Sequence, residues 1–95
     1  MQNGIKWLIS LFGIRRAPVV ARSWAEVFDV NNPSSQDVLK DLAIYCNFVK
    51  SSFNQNPQQM AFNEGARDVF LHILEMAKIE HKQVVEICQT LHIKE

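Results

Sequence analysis

The chain has 95 residues, 47% of them hydrophobic and 21% charged, and its ten Lys and Arg are balanced by ten Asp and Glu. That length makes one domain with a core but without a deep pocket. A net charge of zero speaks against a general nucleic-acid binder, whose phosphate contacts call for a basic excess.

The first element expected is a helix over 3–14. Ile5, Leu8, Ile9 and Phe12 recur at i, i+3, i+4 and i+7, and Trp7 and Leu11 widen the stripe to most of the circumference. Such a helix must be buried on several sides or lie against a partner or a lipid surface. With seven apolar residues among the ten from 5 to 14, the run is far short of the roughly 20 that span a bilayer. One Lys before it, an Arg pair after it and the lack of a small-residue cleavage site do not fit a secretion signal. Arg15 and Arg16 suit the helix C-terminus, and Pro18 stops continuation. Val19-Val20-Ala21 reads as a short connector. Ser23-Trp24-Ala25-Glu26 has the form of a capping box opening a short helix over 24–29, with Trp24, Val27 and Phe28 on one side.

A loop at Asn31–Ser35 precedes a helix expected over 35–50, capped by Ser34 or Ser35, with Asp37 in its first turn. Val38, Leu39, Leu42, Cys46 and Val49 would face inward, with Tyr45 and Phe48 as flanks. A polar loop anchored by Phe53 leads to Asn56-Pro57-Gln58-Gln59, where Asn caps, Pro takes the first helical position and Gln59 can close a capping box. The long helix that follows is expected to reach residue 78. Its core stripe would be Phe62, Ala66, Val69, Phe70, Ile73, Leu74 and Ala77, with Glu64, Arg67, Asp68, His72 and Glu75 opposite. Gly65 within it suggests that another backbone approaches closely. After a break near 78–80, a last helix over 81–92 carries Val84, Ile87, Cys88 and Leu91. The fold expected is all-α, a single domain over 1–95 of about four helices plus one short one.

Catalytic chemistry finds little purchase. Glu64 and Asp68 are i, i+4 with Arg67 beside them, which reads as a charge-balanced face, not as converging acid and base. His72, His81, His92, Cys46 and Cys88 lack metal-ligand spacing. The two cysteines, without C-x-x-C spacing, read as reduced, buried apolar residues. No nucleophile elbow or phosphate-cradling glycine loop is present. The expectation is a binding protein with no catalytic residues, no cofactor, no metal and no small-molecule substrate. The last two helices could form a helix-turn-helix presenting Lys82, Gln83, Glu86, Gln89 and Thr90, yet Glu86 is central and the turn has no Gly.

The stretch from Val38 to Met76 carries a resemblance. Val38-Leu39-Lys40-Asp41-Leu42, the Ser51-Ser52-Phe53 turn and Met60-Ala61-Phe62-Asn63-Glu64-Gly65-Ala66-Arg67-Asp68-Val69, with Trp24 and Phe28 upstream, resemble the Bbp-nineteen-like family of small tailed-bacteriophage proteins over residues 24–78. The family's most recognisable element is an E-G-R-R stretch opening a long helix; Glu64, Gly65 and Arg67 match it, while Ala66 stands where its first Arg would be. The resemblance implies a phage protein encoded among structural or assembly genes, with no catalytic residue to carry over. Taken with the apolar first helix, the expectation is a structural or assembly accessory protein, a minor component of the virion or resident in the host cytoplasm. It would act through self-association or contact with phage structural proteins. The candidate contact residues are Ile5, Trp7, Leu8, Leu11, Phe12, Arg15 and Arg16, with Glu64, Arg67 and Asp68 as a second group. A small regulator binding DNA or a host protein, and an ejection-type protein touching membrane through residues 3–14, are the alternatives.

Overall fold

Residues 4–48 and 54–91 are described by the computed structural model, and all their regular structure is helical: α1 Gly4–Phe12, α2 Ala17–Val27, α3 Pro33–Tyr45, α4 Pro57–Ala77 and α5 His81–Leu91. Val49, Phe53 and His92 lie outside the described residues, as does the side chain of Leu91.

Helix α1 stops at Gly13, whose φ of 87° is open to glycine at no steric cost. Its amide donates to the Ile9 carbonyl at 2.8 Å, closing the last turn. The connector and short helix expected over 19–29 are instead one helix, α2. Pro18 opens it, because proline lacks only an amide that the first turn leaves unpaired anyway. Ser23 therefore sits inside the helix and donates to the Val19 carbonyl at 3.1 Å; it caps nothing.

Asn32, not Ser34 or Ser35, caps α3, its side chain accepting from the amides of both serines, with Pro33 in the first turn. Ser35 is buried and donates to the Val27 carbonyl at 2.8 Å, and Gln36 donates to the Val30 carbonyl at 2.6 Å. These two bonds lash the start of α3 to the last residue of α2 and to the turn after it. Helix α3 ends at Tyr45, earlier than its apolar pattern suggests, because Asn47 turns left-handed (φ 61°) and the Phe48 amide reaches back to Ala43 at 2.8 Å. Lys78 repeats the device at the end of α4, with φ 60° and the Ile79 amide on Leu74 at 2.9 Å. Asn56 caps α4 as its sequence predicts, through the amides of Gln58 and Gln59. Gln59 does not close a capping box; its side-chain amide donates to Asn63 at 2.9 Å.

Two apolar clusters result. The larger joins Leu39, Ala43, Cys46 and Phe48 to Phe70, Leu74, Ala77 and Ile79 of the α4 end, and to Val84 and Ile87 of α5, with Phe28 and Val30 against it. The smaller holds Leu8 of α1, Ala17 of α2 and Met76 of α4, with Val20, Ala21 and Trp24 at its edge. Helix α2 thus sits between α1 and α4. Three residues expected in the core stripes face water instead: Val38, Phe62 and Val69. Phe48, expected as a flank, is buried. Gly65 does not mark a close approach: no atom comes within 4 Å of where its Cβ would stand. The Cα trace is a slab of 44 × 35 × 16 Å.

Candidate functional site

Helix α1 is only half inserted. Leu8 is its one buried side chain, pressed between α2 and Met76. Gly4 adjoins Met76 so closely that a Cβ there would stand 3.3 Å from the methionine sulfur. Ile9 and Phe12 lie on one flank of this seam and Trp7 and Leu11 on the other, all exposed. The exposed fraction rises to 58% at Leu11 and 75% at Ile14 beyond the helix end. A 9-residue helix is too narrow to bury an apolar belt that runs most of the way round it. Burial of one line of contacts leaves the flanks in water.

The inner flank is built from rings. His72 of α4 stands edge-on to Trp7 at 6.2 Å and to Trp24 at 5.9 Å, and Trp24 stacks on Phe28 at 5.9 Å. His72 was expected on a solvated charged face; it is instead the bridge that ties α1 and α2 to α4. Trp7, His72, Glu75, Gly4 and Met76 line a shallow depression along this seam.

Around the exposed flanks the charge is of one sign. Lys6, Arg15, Arg16 and Arg22 are the only charged residues among the first 25, and all four are exposed. The remaining 70 residues hold the other six cations and all ten acids. The neutral chain is therefore divided into a cationic stretch of 25 residues at its start and a remainder with a net charge of −4. The whole-chain total hides this division, and counting charges by segment exposes it.

The second group of sequence candidates is not one unit. Arg67 is half-buried and turned to the protein's own frame. Its guanidinium donates to the Phe48 carbonyl at 2.6 Å and stands 5.0 Å from the centroid of the Phe48 ring. It closes the C-terminal end of α3 onto α4, as cations at helix ends do. Phe48 is held in turn by Phe70 at 5.1 Å and His81 at 5.3 Å. Glu64 and Asp68 remain exposed on the solvent side of α4, with Gly65 between them and Phe62 and Val69 alongside.

Other chemistry is modest. Burial pushes the thiol of Cys46 up, and burial does the same at Cys88 against the opposing pull of Lys40. Among the described residues, no group of three or more His, Cys, Asp or Glu is placed to hold a metal ion, and no helix is long and apolar enough to cross a membrane. On α5, Gln83 accepts the Glu80 amide at 2.8 Å and so helps to cap the helix. Lys82 lies 3.9 Å from Glu80 in an exposed pair of little energetic weight.

The exposed surface totals 6810 Å², against about 5600 Å² expected for a compact monomer of this mass. The radius of gyration of 14.8 Å likewise exceeds the roughly 12 Å of a compact chain this long. The exposed side chains of Ile9, Leu11, Phe12 and Ile14 offer apolar area framed by cations.

A family model described as Bbp19-like phage protein matches residues 24–89, from Trp24 through most of α5. The match runs beyond the 24–78 legible in the motifs and takes in the last helix, while α1 and the first part of α2 lie outside it. No curated protein and no solved structure matches the chain.

Proposed function

Because the chain belongs to the family of Bbp19-like phage proteins, we propose that it is a structural or assembly accessory protein of the phage, working by helix-mediated protein contacts and not by catalysis. The observation that carries this reading is the half-inserted α1. Its flanks present Ile9, Leu11 and Phe12 to water beside Arg15 and Arg16. Exposed apolar area of this extent marks an interaction surface in a small protein. The α1 contact lies outside the matched segment, which begins at Trp24. The family unit supplies the packed body, and α1 supplies the adhesive face. On this reading the protein resides in the virion or in the host cytoplasm during assembly.

The test uses full-length chain carrying Ile9→Glu and Phe12→Glu in the phage genome. Both side chains are exposed, so the fold should persist, as checked by circular dichroism of the purified variant. The protein should then be lost from purified particles or from assembly intermediates. Incorporation equal to the unaltered chain would remove α1 as the contact element.

A further inference from the structure

Helix α1 rests on Met76, near the C-terminal end of α4. Nearer the start of the same helix, Phe62 and Val69 project into water at 67% and 58% exposure, one ridge seven residues apart. Between them Gly65 leaves an open notch, with nothing within 4 Å of its absent side chain. Glu64 and Asp68 are exposed on the same solvent side of α4. A mid-helix glycine weakens a helix, and here no contact among the described residues offsets that cost. The notch is shaped to receive a helix whose knobs are apolar and whose surroundings are cationic. Helix α1 has that character: Ile9 and Phe12 as knobs, with Lys6 in its first turn and Arg15 and Arg16 just past its end.

Within one molecule the two surfaces are apart. Met76 and Gly65 are separated by eleven residues of α4, about 16 Å along the axis. We propose that α1 of one copy docks on the Phe62–Gly65–Val69 face of the next, so that the chain associates head to tail. This rests on the reading of α1 as a protein-contact element and names its partner as a second copy of the chain. Charge selects this arrangement. A contact between two α1 faces would set two clusters of four cations against each other. A contact between α1 and the acidic body sets cations against Glu64 and Asp68. A head-to-tail contact is heterologous, and repeating it gives a ring where the rotation closes and a filament where it does not. Each copy uses two patches. Each patch is built from a few side chains, Ile9 and Phe12 on one and Phe62 and Val69 on the other, which makes the contact small beside the interfaces of obligate oligomers. The association is therefore concentration-dependent and salt-sensitive.

Sedimentation velocity on the purified full-length chain over a concentration series, at low and at high salt, reads this directly. The mass should rise beyond a dimer with concentration at low salt and fall back at high salt. Two variants then decide the geometry. Ile9→Glu with Phe12→Glu blocks the head, and Glu64→Lys with Asp68→Lys blocks the tail; each alone should weaken association more than about tenfold. Mixed together they should form a defined one-to-one dimer, since one supplies an intact head and the other an intact tail. All four altered positions are exposed, so both variants should fold, with circular dichroism as the check. A dimer formed by the tail-blocked variant alone would mean that α1 faces meet each other and would overturn the proposal. So would a chain that stays monomeric throughout. If that monomer also floats with phosphatidylglycerol vesicles, the cationic apolar face meets lipid. If the monomer is still taken into particles through α1, the contact is with another phage protein, and the proposed function stands while self-docking falls.

Discussion

The two apolar clusters of this protein are made from similar residues and behave differently. Around Phe70 and Leu39 the side chains are wholly buried, because α3, the end of α4 and α5 close on them from three directions. Around Leu8, α2 and Met76 provide the cover among the described residues, so burial in α1 stops at that one side chain and the neighbours Ile9, Leu11 and Phe12 stay wet. The same helical apolar pattern yields a core where partners converge and a sticky surface where they run out. The family match follows this division, covering the first region and leaving α1 outside.

Substitutions can press on this contrast. Phe70→Ala should cost about 3–5 kcal/mol, the usual range for a deleted buried ring, and unfold the chain as a unit in chemical denaturation. If only part of the helical signal were lost, the larger cluster would not be the unit of cooperativity. Leu8→Ala should cost about 2 kcal/mol but act locally, loosening α1 from His72 so that Trp7 emission shifts to the red before the main transition. A single coincident transition would mean that the two clusters are one. Arg67→Ala, which removes the charged bond to the Phe48 carbonyl and the contact with its ring, should lower stability by about 1–2 kcal/mol without altering α1, as seen by amide exchange. Gly13→Ala forces a side chain into a left-handed turn and should cost about 1 kcal/mol, with the loss confined to the end of α1. The smallest effect has the opposite sign. Gly65→Ala meets no neighbouring atom and should raise stability by about 0.5–1 kcal/mol in thermal melts of the monomer. A loss there would show that the helix needs the glycine for its own packing.

Much of the fold could be read from residue order. The caps at Asn56-Pro57, the break after Ala77 and the apolar period of α5 are local signals, and local physics honours them. The errors also have local causes. Pro18 ends one helix as readily as it starts the next, and the first turn of α2 takes it, so the connector expected at 19–21 is helical. Asn32 outcompeted Ser34 and Ser35 because its side chain reaches both of their amides. Phe62 and Val69 have the spacing of core residues, yet among the described residues no helix is laid over that face of α4. The candidate site was partly legible too. The unusual apolarity of α1 marks it, but the clustering of Lys6, Arg15, Arg16 and Arg22 is invisible in a charge total of zero. The place of His72 between two indoles depends on contacts made by α1 and α2, far away in sequence.

Sequence alone therefore determined the class of fold, most helix boundaries and the presence of one helix too apolar for its length, because capping, periodicity and turn chemistry act over a few residues. Only the tertiary structure decided which face of that helix is covered. It also decided that Arg67 is tied inward while Glu64 and Asp68 face out, and that Gly65 opens onto solvent. Those outcomes depend on which distant elements arrive to bury a surface, and a periodic stripe specifies that a face is apolar without specifying what will cover it.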